Sequence, residues 1–437
     1  SVTGLVSRDQ MVGPWQIPVS DVAVTHSDFQ GYTGEAMAMG ERTPIACLHS
    51  AASARMAIGE ALTNLVAAPI KKLNDISLSA NWMAACDYSS DAADLYDAVQ
   101  AVGTELCPAL GINIPVGKDS LSMKAEWQSN EEKHTVASPV SLIVTAAAAV
   151  NDVRETLTPE LHPEQETCLI FIDLANGAQC LGGTSLAQVY QKLGQRPADI
   201  DSPEIFKKGL EAIIEAKNKQ LILAYHDRSD GGLFVTLAEM TFASRCGLEV
   251  DISNLGADPI KILFNEELGA VIEVAKHELI RVQAIFKNHN VLELFHPIGK
   301  PQKFQTLQVK HNNLTVVNQS RSHLQRLWSS TSYHMQALRD HTGLAQQAYD
   351  TILDNDDPGL NSVITFDPNE RISAPFLNLT PPRIAILREQ GTNGHREMAA
   401  AFHRSGFQCH DIHMTDLTRG KTSLSDYHGL VACGGFS

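Results

Sequence analysis

Basic residues are scarce in this chain: 34 lysines and arginines stand against 50 acids, a formal charge of −16 at pH 7. Surfaces that bind nucleic acid or anionic membrane need the opposite balance, so neither is expected as a partner. Any phosphate must be held locally. No apolar run approaches the roughly 20 residues that a bilayer crossing requires. Ser1–Trp15 lacks the basic flank and apolar stretch of a signal peptide, and a cytoplasmic location is expected. The eight cysteines are far apart with no C-x-x-C pair, which argues against zinc and disulfide frameworks and for reduced thiols. The 17 histidines show no H-E-x-x-H spacing, so a zinc hydrolase is not expected. Apolar residues, by contrast, are plentiful. At 43% of 437 residues they can fill two or three separate cores.

Strand and helix patterns alternate from Asp21 to Val150: DVAVTH, TPIACLH, a helix over Ala51–Val66, DISLSANWM, a helix over Ala92–Gly103, and SLIVTAAAAV. This predicts a layered α/β domain over 1–153. The acidic, proline-bearing stretch Asn151–Glu166 suits neither helix nor strand and marks a boundary. A second α/β unit is predicted over 154–319, from the strand CLIFIDL through the helix SLAQVYQKL, a long helix to Lys219, the strand LILAYHD and a helix after Gly232. Ser320–Asp340 spaces Leu324, Leu327, Trp328, Thr331, Met335 and Leu338 at three and four, the pattern of one amphipathic helix. With the proline-bearing segment His341–Pro382, expected to be irregular, it forms a helix and connector over 320–381. A third α/β unit opens at 382 with RIAILRE, a helix over Gly394–Ser405, CHDIHM and GLVACGGFS. These few elements do not cover both faces of a sheet, so both chain ends are expected to be cuts within a longer protein.

Several constellations could carry chemistry. Glu60 and Asn64 stand four apart on the Ala51–Val66 helix and so share a face, where their oxygens suit magnesium; a packing helix with a wet polar face is the alternative. LILAYH runs into Asp227, Arg228, Ser229, Asp230, Gly231 and Gly232 before a helix, a layout that favours anions at the helix start or simply an N-cap. In GAQCLGGTSLAQVY, Gly177, Gly182 and Gly183 could cradle a phosphate or form a tight turn, and the G-x-G-x-x-G spacing is missing. GINIPVGKDSLSM fails as a P-loop because Asp119 follows Lys118; what remains is a Gly-Lys-Asp-Ser loop on which ammonium, carboxylate and hydroxyl converge. Asp21, Glu35, Glu41, Glu266 and Glu267 read as solvated acids, and His226 as a strand-end residue.

Taken in order, SVTGLVSRDQMVGPWQIPVSDVAV, GEALTN, LSANWM, PVGKDSLSM, HDRSDGG, FNEELG, RIAILREQGTNGHREMAAAF and VACGGFS resemble the large single-chain phosphoribosylformylglycinamidine synthases of purine biosynthesis. The resemblance implies a ligase in which ATP activates the amide oxygen of formylglycinamide ribonucleotide and glutamine-derived ammonia then displaces phosphate. It implies an aminoimidazole-ribonucleotide-synthetase-like repeat, the second of two, followed by the flavodoxin-like start of a class I glutamine amidotransferase domain. The first repeat, the rest of the amidotransferase and its Cys, His and Glu are expected outside this chain; alone it is expected to be inactive, with pairing to a second copy open. By position in the matching strings, Asp21, Glu60, Asn64 and Asp227 are implied magnesium ligands. Ser20 and Ser229 are implied nucleotide contacts for ATP or ADP, and Lys118, Asp119 and Ser120 substrate-side candidates. A nucleotide retained without turnover is the alternative role. Carboxylates tolerate a polyphosphate only with divalent cations between them, so magnesium follows once a nucleotide is accepted.

Overall fold

The computed structural model describes residues 4–88, 90–130, 132–370 and 379–436. Residues 1–3 of the opening string, 371–378 of the expected connector and Ser437 of the GGFS string lie outside the described residues. The fold is α/β, as the sequence predicts, and the chain divides into two units. The larger comprises Ser7–Ser27 and Tyr32–Leu360; the smaller comprises Ser1–Val6, Asp28–Gly31 and Asn361–Ser437.

The larger unit contains two sheets. The first runs in the order Val6–Arg8, Ala23–His26, Gly34–Glu41, Ser141–Val150, Ser77–Met83, Asn113–Ser120. Along Gly34–Glu41 burial alternates strictly, with Met37 and Met39 on the exposed face. Here the structure corrects the sequence reading. TPIACLH is not a strand: Thr43–Ala46 is a single helical turn, with Pro44 in its first turn where a missing N–H does no harm. The strand before it escaped notice because its inward positions are Gly34, Ala36, Ala38 and Gly40, residues with weak strand preference. Ala36, Ala38 and Gly40 are small because the helix Ser50–Leu65 lies on them, whereas Gly34 is crowded by the Thr25 carbonyl and Val153. A Cβ on Gly40 would come within 2.0 Å of the Ala57 carbonyl oxygen.

The helix itself is alanine-rich and buried on nearly every side, so it packs by close approach and not through one greasy stripe. His49 caps its start by accepting the Ala52 N–H at 3.2 Å. Its far end is held by the buried Lys217, which donates to the Val66 carbonyl at 2.8 Å and also to the Ala68 carbonyl.

The second sheet has the order Ile222–Asp227, Ala270–Ala275, Thr167–Ile172, Phe295–Gln302, Gly247–Asp251, Thr306–His311, Leu314–Ser320. Its interior strand Thr167–Ile172 is covered on both faces: Ile170 and Ile172 enter one core, Leu169 and Phe171 the other. That two-sided burial explains the unbroken apolar run in CLIFI. Helices Pro203–Asn218 and Leu279–Asn288 contribute Phe206, Leu210, Ile213 and Phe286 to the first core; Gly232–Ser244 contributes Leu233, Leu237 and Phe242 to the second.

The amphipathic helix spans Arg321–Arg339. Arg321 is fully buried and donates to Gln305, Gln325, Asn355 and the Ile352 carbonyl, which pins the helix start. The segment after it is not irregular throughout, because Thr342–Asp350 forms another helix, with Tyr349 stacked on Tyr333 at 4.3 Å. The prolines that argued against regular structure begin only at Pro358. In the smaller unit, Gln408–His413, Arg383–Arg388 and Gly429–Ala432 form a parallel sheet, with helix His395–Arg404 as the crossover.

Candidate functional site

The strand Ile222–Asp227 delivers His226 and Asp227 to the end of the second sheet, beside Asp21 at the entry to Ala23–His26. One ligand atom from each of Asp21, His226 and Asp227 lies within 4.8 Å of the others. Asp21 Oδ1 accepts the Asp227 N–H at 3.2 Å and sits 2.8 Å from His226 Nδ1. Its Oδ2 is buried without a hydrogen-bond partner. Asp227 is also buried, and its Oδ2 is only loosely approached by Thr63 Oγ1 at 3.5 Å. Burial first, and the neighbouring Asp21 charge second, push the Asp227 carboxyl well above the usual carboxylate range. Burial opposes charge on His226 as well, yet Asp21 and Glu239 together hold it well above the ordinary histidine value.

Glu60 occupies the adjoining position. Its Oε1 accepts the Ser229 hydroxyl at 2.5 Å and its Oε2 the Glu41 N–H at 2.7 Å. Burial raises its pKa, while Arg42, 3.8 Å away, pulls the other way. Arg42 is itself buried and reaches Asp230 at 2.8 Å and Glu266 at 2.9 Å. Thus Asp21, Asp227, Glu60 and Ser229 gather on the turn that follows residue 227. That turn ends at Gly231, whose φ of 81° makes it the left-handed N-cap of Gly232–Ser244 without a side-chain cap. Asp227, Ser229 and Asp230 are therefore not capping residues.

Asn64 and Ser20 also have partners within the chain. Asn64 donates to the Met39 carbonyl at 3.2 Å, which orients its amide and leaves its oxygen unengaged by that bond. The Ser20 hydroxyl donates to the Val22 carbonyl at 3.0 Å. Lys118, Asp119 and Ser120 lie on the strand Asn113–Ser120, not on a loop. Side chains alternate along a strand, so Lys118 meets Ser120 at 3.1 Å while Asp119 points to the opposite face, and the three do not converge. In the glycine segment 177–185 most of the amides that could cradle a phosphate are already engaged. Asp173 takes Gly177, Glu267 takes Cys180, the Arg196 and Leu193 carbonyls take Gly182 and Gly183, and Glu266 takes Ser185. Glu266 and Glu267 are accordingly buried, not solvated, and Asp21 shares that correction. His226 is no ordinary strand end either. Its buried bridge from Asp21 to Glu239 left no signal in local spacing, since the partners are 205 and 13 residues away.

The donor set suits a hard divalent cation. Two buried carboxylates face each other, one with an orphan oxygen, and such groups are stable together only when a proton or a cation separates them. Carboxylate oxygens of this kind are what magnesium selects. In the smaller unit, the glycine turn after Gly429–Ala432 lies against the loop after Arg383–Arg388: Phe436 N–H reaches the Gly391 carbonyl at 2.8 Å and Asn393 N–H the Gly434 carbonyl at 2.9 Å. Both loops leave the carboxyl ends of parallel strands, the edge at which open α/β sheets bind ligands.

Comparison with known proteins first defines a class. Residues 1–149 match the FGAR-AT PurM_N-like domain, 174–311 the AIR synthase related protein C-terminal domain, and 381–437 the CobB/CobQ-like glutamine amidotransferase domain. In this order the three models together support a chain of the phosphoribosylformylglycinamidine (FGAM) synthase type. Solved structures share its fold: phosphoribosylformylglycinamidine synthase II from Thermotoga maritima superposes with TM-score 0.53 at 14% identity, covering 72% of this chain and 47% of that one. T. maritima PurL complexed with FGAR gives 0.52 at 13%, covering 72% and 49%, and PurL complexed with ATP 0.51 at 13%, covering 72% and 47%. The chain thus spans about half the length of these relatives. Among the described residues no helix is long and apolar enough to cross a membrane.

Proposed function

We propose that this chain is part of an ATP-dependent carbon–nitrogen ligase that converts formylglycinamide ribonucleotide, glutamine and ATP to formylglycinamidine ribonucleotide, glutamate, ADP and phosphate. In this reading 1–153 and 154–319 form one synthetase repeat, 320–381 the connector and 382–437 the opening of the amidotransferase domain. Asp21, Asp227 and Glu60, with Asn64 beside Glu60 on the same helix, hold magnesium against the phosphates of a bound adenine nucleotide. Ser229 is oriented toward them by its bond to Glu60, and Ser20 contacts the nucleotide through its backbone. Magnesium, when bound, supplies neutralisation of the phosphate charge and of the paired carboxylates. Lys118 and Ser120 are offered to the ribonucleotide on one face of their strand, with Asp119 on the other.

The observation that carries this reading is the Asp21–Asp227 pair, two buried carboxylates in mutual range with one oxygen unsatisfied. A second reading, nucleotide retained as a structural element, is favoured by the way Glu60 and Ser229 are locked together with Arg42 and the Glu41 amide. Denaturing the purified chain, quantifying released nucleotide, and assaying ATP hydrolysis with magnesium separates the two. One ADP per chain without hydrolysis supports retention, ADP formation from added ATP supports turnover, and absence of both contradicts the site.

A further inference from the structure

The Asp21 carboxylate is held by a line of residues that reaches far outside the cation site. His226 is gripped at both ring nitrogens: Nδ1 is 2.8 Å from Asp21 Oδ1 and Nε2 is 2.8 Å from Glu239 Oε2. Glu239 lies on Gly232–Ser244, the helix that starts at the site turn. Its other oxygen, Oε1, accepts the indole N–H of Trp328 at 2.9 Å. Trp328 packs on Phe242, ring centroids 5.7 Å apart, and belongs to the helix whose start is pinned by the buried Arg321. Side chains from one loop and three separate elements thus form one hydrogen-bonded line, and its end point is Asp21 Oδ1, the partner of the orphan Oδ2 on the same carboxylate.

We propose that Glu239 is a positioning residue for the cation site, with Trp328 fixing Glu239 in turn. The inference rests on the reading of Asp21 as a cation ligand. Glu239 stops the His226 ring from turning about its own axis. The held ring engages Asp21 Oδ1, so the carboxylate is kept in the one orientation that presents Oδ2 to the ion. Without that grip the carboxylate rotates, and part of the ion's binding energy goes into restoring its orientation. Partners one step removed from a metal's ligands are worth about 10–100-fold in affinity.

The test uses the full chain stripped of divalent ions and titrated with Mn²⁺ in the presence of ADP, free Mn²⁺ being read by electron paramagnetic resonance. Glu239→Ala is expected to raise the Mn²⁺ dissociation constant about 10–100-fold. In Glu239→Gln one oxygen stays on the indole and the amide donates to Nε2 once the ring gives up that proton, so most of the affinity is restored. Trp328→Phe removes a single hydrogen bond and raises the constant about three- to fivefold. A purely packing role would lower the melting temperature of Glu239→Ala while leaving the dissociation constant within twofold of wild type, and that result overturns the proposal. If Glu239→Ala does not fold, Trp328→Phe decides, an unchanged constant being the contrary result. Asp21→Asn separates the two levels: if wild type binds Mn²⁺ no better than Asp21→Asn, the cation reading itself fails. If only Glu239 proves silent, the positioning role alone fails.

Discussion

Replacing Asp227 by asparagine is expected to move stability in opposite directions with and without magnesium nucleotide. In chelator, the wild-type chain holds Asp21 and Asp227 with ligand atoms no more than 4.8 Å apart in a buried setting. Two unit charges at that distance repel by about 3 kcal/mol at an effective dielectric of about 20. The charge on His226 offsets part of this, and a net gain of about 1–3 kcal/mol is expected for the neutral amide. The sign of the pH dependence follows. Because the folded pKa of Asp227 lies above that of an unfolded carboxylate, the wild type loses stability as pH rises from about 4 toward the folded value, and the variant does not. The advantage of Asp227→Asn is therefore present at pH 7 and vanishes below about pH 4. With magnesium–ADP at a hundred times its dissociation constant, the wild type gains about 2.7 kcal/mol and the variant gains little. Melting midpoints of both proteins, with chelator and with magnesium–ADP, read out all four states. A variant less stable than wild type in chelator, or equal gains from magnesium–ADP in both proteins, would show that the two carboxylates neither repel nor share an ion.

Other perturbations probe the scaffold that presents the site. Arg42→Met leaves the buried Glu266 and Glu60 without their cation, and a loss of about 3–5 kcal/mol in urea unfolding is expected. Tyr225→Phe removes the hydroxyl that donates to the Thr63 carbonyl at 2.6 Å on the Glu60 helix, for a loss of about 1–2 kcal/mol in the same assay. Gly40→Ala drives a methyl into the Ala57 carbonyl and is expected to cost at least about 2 kcal/mol, read from the melting midpoint. Burial lowers Lys217 to about 7. Its contribution is least favourable at and below pH 7 and improves as pH rises toward the unfolded lysine value of about 10.4. Compared with Lys217→Met, the wild type is expected to gain up to about 1.4 kcal/mol per pH unit across that window in urea unfolding.

Legibility in the sequence followed from how local each signal was. The strand SLIVTAAAAV coincides with Ser141–Val150, and LILAYHD closely with Ile222–Asp227, because runs of apolar and β-branched residues report burial directly. GEAMAMGE hid its strand because contact with a helix demanded glycine and alanine there, erasing the usual composition. At the site, residue pattern alone reads Asp21 as a solvated acid; only the family resemblance implies Asp21 and Asp227 as joint ligands, and the structure brings the two together. What local pattern could not show was which polar groups are already engaged. Two amides of the 177–185 segment, those of Cys180 and Ser185, are bonded to Glu267 and Glu266, residues more than 80 positions away. The line from Asp21 through His226 and Glu239 to Trp328 spans one loop and three elements and has no spacing signature at all.

The central claim is that Asp21 and Asp227 share a divalent ion that also binds a nucleotide phosphate. Anomalous diffraction from crystals of the full chain grown with ADP and Mn²⁺ tests it directly. A Mn²⁺ peak is expected about 2.1–2.3 Å from Asp21 Oδ2 and from an Asp227 oxygen, with a phosphate oxygen on the same ion. ADP bound with its metal elsewhere, and no anomalous density between these two carboxylates, would contradict it.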